Sequence, residues 1–173
     1  MKQKITLFYL LSLMAAWPAF SANATDEKIQ SINEIKRQAL EGIVFLSNEQ
    51  LRDRIKKNPE LVLLDVRTQR EFQSGHLQGA AWVERGIAEF VLARTLSYKA
   101  TEIILYCKKG YRASLVAKRL RDVGYNNVRV HAGFDEWALA GNTYVNYLGE
   151  SKLIKLTAKT AANFKPDYYL PKQ

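Results

Sequence analysis

Apolar residues along this chain fall in short continuous runs, separated by stretches where they return every three or four positions, the rhythm of buried strands alternating with amphipathic helices. The clearest case begins at Ile103-Ile104-Leu105-Tyr106, passes Cys107 and Lys108-Lys109-Gly110, and enters a run where Ala113, Val116, Ala117, Leu120 and Val123 share one face. Lys118, Arg119, Arg121 and Asp122 take the other face. The pattern predicts strand, tight loop and helix, with the helix docking its apolar side on a sheet.

The same reading extends to both sides. Ile29, Ile32, Ile35, Ala39 and Leu40 among charges predict an N-terminal helix over Thr25 to Leu40, ending at Gly42. Ile43 to Leu46 predicts a short strand, and Ser47 with Gln50 a capping box that opens a helix to about Lys57, stopped by Asn58-Pro59. Leu61 to Val66, broken only by Asp65, reads as a strand covered on both faces. A short helix then sets Arg67 and Glu71 four apart, able to pair, before Gly75 ends it. Ala80 to Val83 predicts a strand, Ile87 to Leu96 a helix with Phe90, Val91 and Leu92 inward, and Asn127 to Val130 a strand after the stop at Gly124-Tyr125. Gly133 to Trp137 opens a last short helix that ends at Gly141. Strands alternating with helices imply an α/β layer structure with a mostly parallel sheet, whose sites lie at the carboxyl ends of the strands. Cys107 occupies such an end.

Chemistry concentrates there. N–H groups of a helix start, and of a tight loop in front of it, favour negative charge, and Lys108, Lys109 and Arg112 add full positive charges nearby. Such surroundings favour the thiolate, the nucleophilic form of cysteine. His76, just past a glycine turn, reads as a packed structural residue in preference to a base for Cys107.

The first 24 residues change where this chemistry is expected. Lys2 and Lys4 precede an apolar run from Leu7 to Trp17, and the stretch closes on Ala22-Asn23-Ala24, the pattern of a secretory signal peptide with an Ala-x-Ala cleavage site. The run is shorter than the ~20 residues that cross a bilayer, so no stable membrane insertion is expected after cleavage. The periplasm is the compartment this predicts. A single cysteine excludes an intramolecular disulfide and Cys-x-x-Cys chemistry, and an unpaired thiol sent to an oxidising compartment points to use of that thiol. With two histidines in the chain, a zinc site lacks ligands, so neither metal nor cofactor is expected. Lys and Arg number 26 against 17 Asp and Glu, a surplus that suits small anions or acidic partners. No basic and aromatic stripe or reader motif argues for nucleic acid. One domain with a real core fits the length.

Taken together, Leu64-Asp65-Val66-Arg67, Glu71-Phe72, Gly75-His76, Gly79-Ala80, the loop Cys107-x-x-Gly110-x-Arg112, Gly124-Tyr125 with Val128, and Gly133, Trp137 and Gly141 resemble a single-domain rhodanese of the thiosulfate sulfurtransferase family. The resemblance spans roughly residues 43 to 141. It leaves 25–42 as an N-terminal helical extension and 142–173 as a C-terminal extension. The resemblance implies a rhodanese-like α/β fold, with a central, mostly parallel five-stranded sheet flanked by helices. It also implies that Cys107 carries a persulfide in a cradle of backbone amides from Lys108, Lys109, Gly110, Tyr111 and Arg112, the substrate-binding residues. Two positions depart from the usual pattern, Trp82 where Asn or His is common and Ala132 in place of the first glycine of a pair; both bear on pocket shape and partner choice.

Loop length separates the nearest rival. Related phosphatases and arsenate reductases place five residues between cysteine and arginine to cradle a tetrahedral oxyanion, whereas four lie between Cys107 and Arg112. The expected reaction is sulfur transfer in two displacements, from a small anionic donor such as thiosulfate to Cys107 and then to a thiol or protein acceptor. A persulfide carrier or binding module that works with a protein partner is the alternative, and the tail aromatics Tyr144, Tyr147, Tyr168 and Tyr169 are compatible with it.

Overall fold

The computed structural model describes residues 29–96 and 100–153. The expected signal peptide, the first residues of the N-terminal extension and the tail from residue 154 lie outside the described residues. The elements follow in the order α1 Ile32–Leu40, β1 Phe45–Leu46, α2 Asn48–Lys57, β2 Val62–Asp65, α3 Gln69–Ser74 and β3 Ala81–Trp82. A 3₁₀ turn at Arg85–Ile87 leads to α4 Ala88–Thr95, β4 Ile103–Tyr106, α5 Tyr111–Asp122, β5 Val128–His131 and α6 Phe134–Leu139. An antiparallel hairpin, β6 Tyr144–Asn146 with β7 Gly149–Ser151, closes the described chain.

Five parallel strands form one sheet in the order β1-β5-β4-β2-β3. β4 lies at its centre because all four of its residues are apolar in body and fully buried, with neighbours on both sides. Removing each such side chain from water stabilises the fold by roughly 1.5–3 kcal/mol. Alternation along β4 then divides the core in two. Ile103, Leu105 and Cys107 face the layer of α4 and α5 with Ala88, Leu92, Val116 and Leu120, while Ile104 and Tyr106 face Leu51, Leu77 and Trp137 on the opposite side. The period-two register that buries Leu105 therefore turns Cys107 toward α5.

Local signals account for most boundaries. Ser47 accepts from the Gln50 N–H while the Gln50 side chain accepts from the Ser47 N–H, the expected capping box of α2, and Thr68 and Glu71 repeat the arrangement at α3. Three expectations are corrected. In α4 the buried stripe is Ala88 and Leu92, four apart, and Phe90 is turned out at 60% exposure. Residues two apart on a helix point about 160° away from each other, so a face that buries Ala88 and Leu92 turns Phe90 outward. Val123, placed on the buried face of α5 by periodicity, caps the helix half-exposed, and Ser114 is buried instead. Arg67 precedes α3 and pairs with Asp65, so the Arg67–Glu71 pairing does not form. The hairpin was not anticipated: His76 and Val145 exchange both backbone hydrogen bonds at 2.8 Å, which ties it to the turn after α3.

Candidate functional site

Cys107 follows the last residue of β4, its side chain 1% exposed at the base of the loop that leads into α5. Two glycines let other segments close on this loop. Gly110 adopts φ +83°, and a Cβ there would lie 2.6 Å from the Phe45 ring. Gly133 adopts φ +126°, and a Cβ would lie 2.5 Å from the Lys108 carbonyl oxygen. Both conformations are ones that glycine adopts without steric cost.

This approach sets the polarity of the loop. The Phe134 N–H donates to the Cys107 carbonyl at 2.7 Å, and the Asp135 N–H to the Lys108 carbonyl at 3.1 Å. A trans peptide carries its N–H opposite its C=O, so the amides of Lys108 and Lys109 point away from α6. The Gly110 carbonyl accepts from both the N–H and the hydroxyl of Ser114, each at 2.9 Å. The first N–H groups of α5 have no partner within the helix. Carbonyls are drawn off and amide hydrogens remain around the cysteine, a lining that suits an anion on sulfur.

Arg112 is fixed from a distant segment. Its two terminal nitrogens donate to the two carboxylate oxygens of Glu71 at 2.7 Å each, and the same carboxylate accepts from the Thr68 N–H and hydroxyl. The Arg112 hydrogen bonds hold the Glu71 carboxyl down at about 2. Arg112 is in turn raised above its usual value, chiefly by Glu71, with the neighbouring Cys107 sulfur acting in the same direction. Of the three basic residues expected at the sulfur, the structure brings Arg112 to it. Lys108 and Lys109 are exposed and line a cavity of about 340 Å³ on the α6 side with Ala132, Asp135 and Leu139. Tyr111 lies under the Lys36 ammonium, 5.6 Å from the ring centre.

Beneath the loop, Asp65 and Arg67 form a buried ion pair at 2.6 Å. Arg67 also donates to the Gly75 carbonyl at 2.6 Å and lies 4.4 Å from the centre of the Phe134 ring, the residue whose N–H holds Cys107. Trp82, the first departure from the family pattern, donates its indole N–H to the Arg67 carbonyl at 2.9 Å. The Tyr106 hydroxyl accepts from the Leu77 N–H at 3.1 Å, and burial, with Asp65 adding to it, pushes that phenol far up. The end of β2, the turn after α3 and the start of α6 are thereby linked under the cysteine.

Both histidines are structural. His76 stacks on Phe72 at 3.8 Å and its Nδ1 lies 3.0 Å from the Phe72 carbonyl. His131 is fully buried; its Nδ1 accepts from the Gly133 N–H at 3.2 Å, which leaves Nε2 to donate to the Asn48 side-chain oxygen at 2.8 Å. Burial lowers it to about 4, so it is neutral at ordinary pH. The sequence held no signal for Glu71, Phe134 or Asn48 as supports of the site, since each acts on a residue more than 25 positions away.

On the other side of Arg112 lies a hollow of about 510 Å³, lined by Val66, Thr68, Glu84, Arg85, Ile87 and Arg112. It opens outside the carboxyl ends of β2 and β3, where ligands of open α/β sheets bind.

Fold and loop define an α/β domain with one cysteine set in a tight loop at the end of its central strand. The chain belongs to the rhodanese-like domain family, whose sequence pattern matches residues 47–140, more than half of its length. It is 32% identical over 93 residues to the putative sulfurtransferase YtwF of Bacillus subtilis, spanning 53% of this chain and 87% of that protein. Among solved structures it is similar to the thiosulfate sulfurtransferase of Pseudomonas aeruginosa, with TM-score 0.55 and 28% identity over 60% of this chain and 20% of that longer one. It is also similar to the polysulfide-sulfur transferase homodimer of Wolinella succinogenes, with TM-score 0.56 and 25% identity over 66% of this chain and 85% of that one. The expected family and the five-stranded, mostly parallel sheet flanked by helices are borne out, and the family is one that includes sulfurtransferases.

Proposed function

We propose that this protein is a periplasmic sulfurtransferase that moves sulfane sulfur from thiosulfate, or a similar small anionic donor, to a thiophilic acceptor through a persulfide on Cys107. The observation that carries the reading is the loop itself: a cysteine at the end of the central strand, with the Cys107 and Lys108 carbonyls held by α6 and the loop amides left without an acceptor among the described residues. The Cys107 thiolate attacks the outer sulfur of thiosulfate, a sulfur–sulfur bond forms, and sulfite leaves with the electron pair of the broken bond. A second nucleophile then takes the outer sulfur and Cys107 departs as thiolate. Charge and electrons balance in both steps. The loop amides stabilise the anionic persulfide, and Arg112 supplies the nearest full positive charge. The short loop supports sulfur over phosphate as cargo. Export rests on the signal-peptide pattern of residues 1–24.

Intact mass of the purified protein, before and after thiosulfate and again after cyanide, tests the chemistry. The expected result is a gain of one sulfur atom, lost to cyanide as thiocyanate and absent in Cys107→Ser. No gain on an accessible thiol would overturn the thiosulfate reading in favour of a carrier loaded by a protein partner. Fractionation of a Gram-negative host expressing the full chain tests the compartment, with cleaved protein expected in the periplasmic fraction.

A further inference from the structure

We propose that the stretch Asp167-Tyr168-Tyr169-Leu170 of the C-terminal extension seats in the groove between α2 and α6, on the face of the sheet opposite Cys107, and straps the extension to the domain. The groove measures about 430 Å³. Leu77 and Trp137, both buried, form its floor, and Ile55, 39% exposed, stands in its wall beside Arg52 and Lys56. α2 thus presents one apolar side chain among two basic ones, whose methylene stems extend the apolar surface.

The groove carries positive charge only. Its lining holds no acid, and among the described residues neither Arg52 nor Lys56 enters an ion pair. Arg52 donates to the neutral Asn142 side chain at 2.7 Å and lies 5.9 Å from the centre of the Trp137 ring, which holds its charge at the groove. Asp53, next to Arg52 in sequence, lines a different cavity with Arg54 and Lys57. An acid followed directly by large apolar side chains complements such a lining.

The chain itself supplies one. β7 ends at Ser151, which pairs with Tyr144, so the chain leaves the hairpin beside Thr143 and Asn142, both of which line the groove. A Cβ on Gly141 would lie 3.9 Å from the Lys152 side chain, which places the departure at that rim. Asp167 follows fourteen residues after Leu153, a length that reaches at most about 50 Å and is ample for the return to α2. Closing a loop of that length costs little more than closing a shorter one. From residue 154 to 173 every charge except Asp167 is a lysine, and Asp167 is followed at once by Tyr168, Tyr169 and Leu170. Charge therefore selects this tetrapeptide from the rest of the extension. Its carboxylate meets Arg52 and Lys56, and its apolar side chains cover Ile55.

Disulfide trapping in the full chain tests the placement. With Cys107→Ser removing the native thiol, Ile55→Cys is combined with Tyr169→Cys, and the reduced protein is oxidised at low concentration and followed by intact mass without reductant. An intrachain disulfide is expected to form about tenfold faster, or more, than when Lys57→Cys replaces Ile55→Cys, because docking raises the effective concentration in the groove and position 57 lines the other cavity. Adding Asp167→Lys should slow the reaction at position 55 about threefold at low salt, the scale of one exposed ion pair, and added salt should narrow that difference. Equal rates at positions 55 and 57 would overturn the proposal. A disulfide-linked dimer would also overturn it, giving the groove to a second copy of the chain, and so would a rate that Asp167→Lys leaves unchanged.

Discussion

Arg112, five positions after Cys107 in the first turn of α5, is held by Glu71, forty-one positions earlier, through two parallel hydrogen bonds of 2.7 Å. The carboxylate that caps α3 thereby sets the direction of the guanidinium beside the sulfur, and α3 becomes part of the site without contacting a substrate. A planar, two-point pair restricts geometry in a way that a lysine at position 112 would not.

Glu71→Gln is expected to slow persulfide formation while costing only about 1 kcal/mol of stability, because both side chains are 30% exposed and the pair is partly screened. Glu71 has a folded value of about 2, below the ordinary 4.5, so its contribution is present above pH 4.5 and is lost as pH falls toward 2. Urea unfolding of both proteins across that window checks the sign, and the gap between them should close at the acid end.

Acid should also act through His131. Its folded value of about 4 lies below the ordinary 6.5, so the unfolded chain takes up the proton first, and stability is full above pH 6.5 and declines as pH falls toward 4. The whole effect is about 3 kcal/mol. A protonated Nδ1 no longer accepts the Gly133 N–H, so the turn that holds Cys107 and Lys108 loosens with it. In His131→Gln the decline between pH 6.5 and 4 should shrink, as read from melting temperatures.

Gly133→Ala should be damaging out of proportion to its size. The added carbon meets the Lys108 backbone at 2.5 Å and the residue must hold φ +126°, a cost of order 1–3 kcal/mol before any shift of the loop. Sulfur loading should fall more than melting temperature, since relief of the clash displaces the carbonyls that turn the amides toward Cys107. Equal loading by the variant and the parent protein would count against the placement of those carbonyls.

Asp65→Asn leaves the Arg67 guanidinium buried without its countercharge, and a loss of about 3–5 kcal/mol is expected in urea unfolding. Trp82→Phe removes one donor to the Arg67 carbonyl and should cost about 1 kcal/mol, with cyanide-dependent turnover retained.

Order along the chain carried much of this architecture. Alternating runs placed all five sheet strands, Ser47 with Gln50 marked the start of α2, and the glycines at 75 and 141 marked helix ends. The errors came where one face had to be chosen from near-equal apolar residues, as with Phe90 against Ala88 in α4. Residues two apart on a helix point about 160° away from each other, so only one of Ala88 and Phe90 can face the core, and packing against α5 decides which.

The candidate site divides in the same way. Cys107 at a strand end, the four-residue spacing to Arg112 and the helix that begins at Tyr111 were legible, because strand period, glycine position and helix face are local properties that neighbours in the chain dictate. Partner choice was settled by packing. Arg67 had Glu71 at helical spacing and took Asp65; Glu71 was left for Arg112; Lys108 and Lys109, adjacent to the cysteine in sequence, lie along a different cavity. Charges pair with whatever the folded backbone brings within reach, and that distance is fixed by how β2, β4 and β5 align, a relation between segments that no single stretch of residues contains.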